Sequence, residues 1–177
     1  MSMVPLEIFL KLDGIDGEST VIGHEKETIV LSYEQGIDHA AAPPMGGGGS
    51  AGRSNFSAVR LRKFVDVGSI PLLLACATGS HIKNAKFTFR NAGSGFEFYK
   101  VTLDDVAIVA IVQRAGTGDQ YPLSFTSLNA GADSSGMLDE VTLTYTKIHW
   151  EYVPQKADGS PGTPIKGGWD IQLGKKL

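Results

Sequence analysis

The chain has 177 residues, 42% hydrophobic and 20% charged, with a net charge of −3. That is the make-up of a single folded domain, 1–177, rather than of a disordered chain or two independent cores. The acidic balance argues against a nucleic-acid partner, and no apolar run reaches the ~18–20 residues needed for membrane insertion as a helix. One cysteine, Cys76, excludes an internal disulfide and a cysteine-rich zinc site.

In chain order, the start lacks the basic stretch and cleavage site of a secretory signal. Leu6, Ile8, Leu10 and Leu12 then alternate with Glu7, Phe9, Lys11 and Asp13, which predicts a strand. Turn chemistry follows at Asp13-Gly14-Ile15-Asp16-Gly17, and residues 28–33 form a second β-rich run ending near Gly36. Residues 37–54 lack a core pattern, and eighteen such residues exceed ordinary loop length, so they read either as a disordered linker or as an arm that orders against a neighbouring subunit. Within it, Met45, Gly46, Gly47, Gly48, Gly49 and Gly52 permit a close backbone approach that a Cβ would block.

Residues 55–67 predict a strand whose apolar positions, Phe56, Val59, Leu61, Phe64 and Val65, slip in phase as at a bulge. The basic run Arg60-Leu61-Arg62-Lys63 reads as that strand's solvated side. Ser69, Pro71 and Gly79 are the cap, early proline and trailing glycine of a short helix. Because it is apolar nearly all round, it is expected to be buried on several sides, with Cys76 in the core. Residues 86–90 and 96–112 predict strands joined by a hairpin at 91–95. Asp104-Asp105 marks a change of environment in the second of them. Residues 116–133 read as loops. Val141, Leu143 and Tyr145 lie on one face of a long strand and Ile148, Trp150 and Tyr152 on the other, a switch that a closed barrel with an extra packing surface explains. The turn-rich tail holds a last strand near 168–173, and no repeat of 20–50 residues argues for a solenoid or propeller.

No catalytic constellation is visible, and neither a cofactor nor a metal is expected. Gly47-Gly48-Gly49-Ser50-Ala51-Gly52 has the spacing of the dinucleotide fingerprint, but Ala40-Ala41-Ala42-Pro43-Pro44 precedes it and a strand, not a helix, follows. His24, His39, His81 and His149 make no short metal-ligand pattern, and adjacent strand residues such as Asp104 and Asp105 point to opposite faces. His24 and His81 are better read as partners of carboxylates or backbone. The alternative to a structural role is a monomeric β-barrel enzyme or small-ligand-binding module that gathers Asp104, Asp105 and the scattered histidines in one pocket.

One series of motifs is specific in its order and spacing. It runs from Ile8-Phe9-Leu10-Lys11-Leu12 through Gly17-Glu18-Ser19, Leu31-Ser32-Tyr33, Met45 with its glycine run, and Pro71-Leu72-Leu73-Leu74-Ala75-Cys76-Ala77-Thr78-Gly79-Ser80-His81. Phe98-Tyr99, Val101-Thr102-Leu103, residues 148–152, Pro154-Gln155-Lys156-Ala157-Asp158-Gly159 and Gly168-Trp169-Asp170 complete it. In this the chain resembles the haemolysin-coregulated protein family, Hcp, of bacterial type VI secretion systems. It departs where the family often has Trp-Ser-Trp-Gly and this chain has Tyr33-Glu34-Gln35-Gly36.

The resemblance implies a mostly β chain, a β-barrel of two antiparallel sheets flanked by one short α-helix. It implies homo-hexameric rings that stack into an expelled inner tube, with sheath, spike and effector proteins as partners. Ser32 and Glu34 would then face the lumen, and the 37–54 arm would join rings. Assembly would occur in the bacterial cytoplasm, and export would need no signal peptide.

Overall fold

The computed structural model describes residues 5–39, 54–116 and 136–177. The fold is mostly β with one helix. The strands are β1 (Leu6–Leu12), β2 (Thr28–Val30), β3 (Ser32–Glu34), β4 (Ile37–His39), β5 (Ser54–Phe56) and β6 (Val59–Phe64). After the helix α1 (Ser69–Thr78) come β7 (His81–Asn91), β8 (Glu97–Gly116), β9 (Gly136–Thr144), β10 (Lys147–Tyr152), β11 (Ile165–Asp170) and β12 (Lys175–Lys176). The expected loops at 116–133 and the glycine cluster of the arm lie outside the described residues, apart from Gly116 at the end of β8.

One antiparallel ladder runs β12-β11-β10-β8-β7-β1-β2, and a branch from β8 continues through β9 and β6 to β3. The branch exists because β8 is long enough to change partners: Tyr99 to Asp104 pair with β10, and Ala107 to Gly116 pair with β9. The stretch 28–34 then joins the two walls. Its first half pairs with β1, the Leu31 amide donates to the Arg62 carbonyl at 2.7 Å, and its second half pairs with β6. The ladder therefore curls around one core without a single strand pairing along the whole seam.

Asp104-Asp105 is the corner. Up to it, β8 buries odd-numbered residues, Val101 and Leu103; beyond it, even-numbered ones, Val106 and Ile108. Asp105 makes the shift by taking a positive φ of 52°, which a short polar side chain tolerates. The neighbouring strand changes phase at the same level. Instead of one long strand there are two, β9 with Val141 and Leu143 inward and β10 with Ile148 inward, broken at Tyr145-Thr146. The Asp104 carbonyl accepts the Thr146 amide at 3.0 Å, so the two breaks are tied together. Strands that turn a sheet corner commonly do so at such bends.

The strand β6 overturns the reading of its basic run. Its register with β9 is regular from Val59 to Phe64, with no bulge. The apolar pattern slips only because a lysine holds an inward position: Lys63 is 1% exposed, and Phe64 faces out instead. Lys63 Nζ reaches Asp66 at 2.7 Å, Ser69 Oγ at 2.9 Å and Asp139 at 3.1 Å. Burial pushes the Asp139 carboxyl up, but hydrogen bonds from Ser69, Gln113 and Lys63 outweigh it and hold the group below its ordinary range.

This cluster also corrects the helix start. Gly68 is the N-cap and makes no side-chain cap; Ser69 is the first helical residue, and its hydroxyl accepts the Asp66 amide at 3.0 Å. The buried charge cluster has recruited the serine that would otherwise cap. Pro71 falls in the first turn, where its missing N–H costs nothing, and Gly79 ends the helix in the left-handed conformation at φ 66°. The helix is not buried all round. Leu72 and Ala75 enter the core and Cys76 packs half-buried against it, whereas Ile70 and Leu74 are exposed.

Candidate functional site

The arm has a built root. Its ends, expected to be irregular, are β4 and β5, which pair with each other in register Ile37 to Phe56, Asp38 to Asn55 and His39 to Ser54, and among the described residues with no other strand. The ribbon is fastened to the body by aromatic stacking. The Phe56 ring lies 6.1 Å from that of Trp169 and 6.5 Å from that of Trp150, both near parallel. Below it, the Gly36 amide donates to Ser57 Oγ at 2.7 Å, and the Tyr145 hydroxyl donates to the Ser57 carbonyl at 3.0 Å. Residues 37–39 and 54–56 thus leave the body in a fixed direction, and Met45, Gly46, Gly47, Gly48, Gly49 and Gly52 lie beyond the described part.

Ser32 and Glu34 sit on the outward face of β3, with Tyr33 turned inward between them. The Tyr33 ring meets Phe87 and Phe89 edge-on at 4.8 and 5.1 Å, and burial pushes its phenol well above the ordinary value. Its hydroxyl and that of Thr28 find no partner among the described residues. The register continues the Ser32 and Glu34 face across the wall: Ser32 stands opposite Arg62, and Glu34 opposite Arg60. Arg62 in turn reaches Glu140 at 2.6 Å, and Arg114 reaches the same carboxylate at 3.2 Å. Ser32, Glu34, Arg60, Arg62 and Glu140 line a groove of about 160 Å³. The face pairs charges of both signs at close range.

The pairing of basic and acidic residues on this wall was missed in the sequence, because Glu140 and Arg114 lie far from Arg60-Leu61-Arg62-Lys63. A signal existed in the phase of the two runs. Counted back from Val141, Asp139 is inward; counted on from Leu61, Lys63 is inward; and the two stand directly opposite each other.

The residues of the enzyme alternative do not come together in one pocket. Asp104 reaches His149 at 3.1 Å and Asp105 reaches His81 at 2.7 Å, as two separate pairs. His24 is elsewhere, bonded to Glu27 at 2.8 Å and Glu97 at 3.2 Å and stacked on Phe9. Among the described residues no group of three or more His, Cys, Asp and Glu side chains is placed to hold a metal ion, and no helix is long and apolar enough to cross a membrane.

A family model described as "Type VI secretion system effector, Hcp" matches residues 9–152. The chain belongs to the Hcp family. It is 33% identical over 170 residues to protein hcp1 of Pseudomonas aeruginosa, an alignment covering 94% of this chain and 96% of that one. Among solved structures it resembles one described as a type six secretion system protein, with a TM-score of 0.83 at 26% identity over 97% of this chain and 99% of the other. Hcp1 from Salmonella typhimurium follows at a TM-score of 0.73 and 26% identity, over 98% and 99%. Membership of Hcp makes this a type VI secretion protein of structural kind, and the curled ladder with one helix is the Hcp fold. Within that fold, Glu34 and Gln35 occupy the segment where the chain departs from the pattern Trp-Ser-Trp-Gly.

Proposed function

We propose that the chain is a ring-forming subunit of the type VI secretion tube, six copies to a ring, with rings stacked into a hollow tube that is expelled and that carries effector proteins in its lumen. The observation that carries this reading is the match to Hcp proteins along nearly the whole chain. The ribbon β4–β5 supports it: a segment with no partner strand among the described residues of its own body, held at its root by three aromatic rings, is suited to reach a neighbour. In this reading the 37–54 arm joins one ring to the next, and the wall bearing Ser32 and Glu34 lines the lumen. Sheath and spike proteins surround and top the tube. The subunit acts by association and mechanical transfer, not by catalysis, and it is assembled in the bacterial cytoplasm before export.

The decisive measurement is the mass in solution at micromolar concentration. A ring gives about six times the 18.8 kDa of the chain, with annular particles in negative stain. A monomer over a wide concentration range overturns the reading. Deleting residues 45–52 separates the roles further: rings that form but no longer stack place the arm between rings, whereas loss of folding would place it in the core.

A further inference from the structure

The loop joining β1 to β2, residues 13–27, is fixed at its root by its own backbone. The Gly17 amide donates to the Lys26 carbonyl at 2.7 Å, the Lys26 amide to the Ser19 carbonyl at 2.8 Å and the Ser19 amide to the Glu27 carbonyl at 3.0 Å. Glycine is required at the crossing, since a Cβ on Gly17 would stand 2.5 Å from the Glu27 carbonyl oxygen. Beside it, Glu18 accepts the Val67 amide at 3.0 Å, just ahead of α1. The tip is held differently. There a turn in which the His24 amide donates to the Val21 carbonyl at 2.8 Å carries the His24 side chain down onto the outer face of the sheet.

His24 is 5% exposed, and its ring stacks on Phe9 of β1 with centres 4.2 Å apart and planes within 7°. Nδ1 lies 2.8 Å from Glu27 in the loop, and Nε2 lies 3.2 Å from Glu97 at the start of β8. A neutral imidazole has one N–H and can donate to only one of these carboxylates, leaving a lone pair turned toward the other. The imidazolium donates to both. Burial pushes the Glu97 carboxyl up, but Lys100 at 2.7 Å, His24 and the more distant Lys86 outweigh it and hold it below its ordinary range. The other charges around the ring have partners of their own. Arg90 of β7, 5.0 Å from the centre of the Phe9 ring, binds Glu7 of β1 at 2.6 Å. Within the loop, Lys26 pairs with Asp16 at 3.4 Å, and Glu25 accepts the Gly23 amide at 2.9 Å.

We infer that His24 is a proton-operated clasp on the outer face of the sheet. As imidazolium it fastens the tip of the 13–27 loop across β1 to β8. On losing the Nε2 proton it keeps Glu27, which lies in the same loop and at the shorter distance, and releases Glu97. The tip then lifts and uncovers Phe9, while the root at Gly17 and Glu18 stays attached. The clasp is closed where the ring holds two protons, and it opens as pH rises. It lies within one copy of the chain and operates whether or not rings form.

Hydrogen exchange of the full chain, corrected for the intrinsic rate and read by mass spectrometry at about pH 5.5 and about pH 8.5, tests it on either side of the range in which histidines change charge. Peptides spanning 17–27 are expected to lose protection about tenfold at the higher pH, the scale of one charge-assisted hydrogen bond, while those spanning 99–104 in β8 keep theirs. Two variants assign the change to the clasp. Glu97→Gln supplies an amide that can donate to a neutral ring or accept from a charged one, so its loop is expected to stay equally protected at both values. His24→Phe keeps the stacking and removes the protons, so its loop is expected to exchange at both values as the wild type does at the higher. A wild-type loop whose protection ignores pH overturns the proposal. So does a Glu97→Gln protein that loses protection by the wild-type factor, or a loss shared equally by 99–104.

Discussion

Two lysines show how differently one residue type is used in this molecule. Lys63 is enclosed in the wall of β6, with Asp139 directly opposite, and its ammonium lies within 3.1 Å of oxygens of Asp66, Ser69, Asp139 and the Phe64 carbonyl. Lys86 is exposed on β7, with another lysine opposite and no ion pair among the described residues. The first charge is consumed inside the fold, where it ties the start of α1 to the β6–β9 ladder. The second acts only at longer range, helping to hold the Glu97 and Glu151 carboxyls below their ordinary range. Charge satisfaction, more than residue identity, thus separates a group that ties elements of the fold together from one that only tunes its neighbours.

The largest effect that would break this comparison is at Lys63. Lys63→Ala leaves Asp139 buried without its cation, and a loss of about 3–5 kcal/mol is expected in chemical denaturation. A loss below 1 kcal/mol would mean that the cluster is wet and peripheral. The pH dependence sharpens the same point. The folded Asp139 carboxyl lies below its ordinary value, so its stabilising contribution is complete above the ordinary carboxylate range and disappears as pH falls through the lower, folded value. Stability is expected to fall on acidification below about pH 4, and Asp139→Asn should flatten that part of the profile.

A smaller effect is expected at the root of the ribbon. Phe56→Ala removes the ring between Trp150 and Trp169, costing about 1–2 kcal/mol for a half-buried aromatic. Amide exchange should quicken at 37–39 and 54–56 while β7 and β8 stay protected; equal quickening throughout would show that the ribbon belongs to the core. The smallest effect is at Lys86. Lys86→Glu should change the melting by no more than about 0.5 kcal/mol, because the attraction gained toward Lys11 is offset by the attraction lost toward Glu97 and Glu151.

Much of the fold was legible because its physics is local. The alternation at Leu6, Ile8, Leu10 and Leu12, the glycine ending α1 and the hairpin between β7 and β8 all follow from neighbouring residues. The corner at Asp104-Asp105 was also readable, since phase on either side of it can be counted. What escaped was set by partners distant in sequence. Lys63 looked solvated because its acids are Asp66 and Asp139, one of them 76 positions on. Ser69 looked like a cap because nothing nearby announces its bond to Asp139. The root of the arm looked irregular because two three-residue strands carry too few residues to show a period, and they are fixed by Trp150 and Trp169 from the far end of the chain. The wall around Ser32 and Glu34 had the same difficulty, since four strands supply its charges.

The length of β8 has a consequence for how the subunit responds to force. This one strand is hydrogen-bonded to β7, β9 and β10, so a thrust along its direction acts on three ladders in shear, and their bonds stretch together rather than in succession. At β12 only two residues pair with β11, and a pull across that edge opens them one at a time. The body is therefore anisotropic: stiff along its longest strand and easily peeled at its last one.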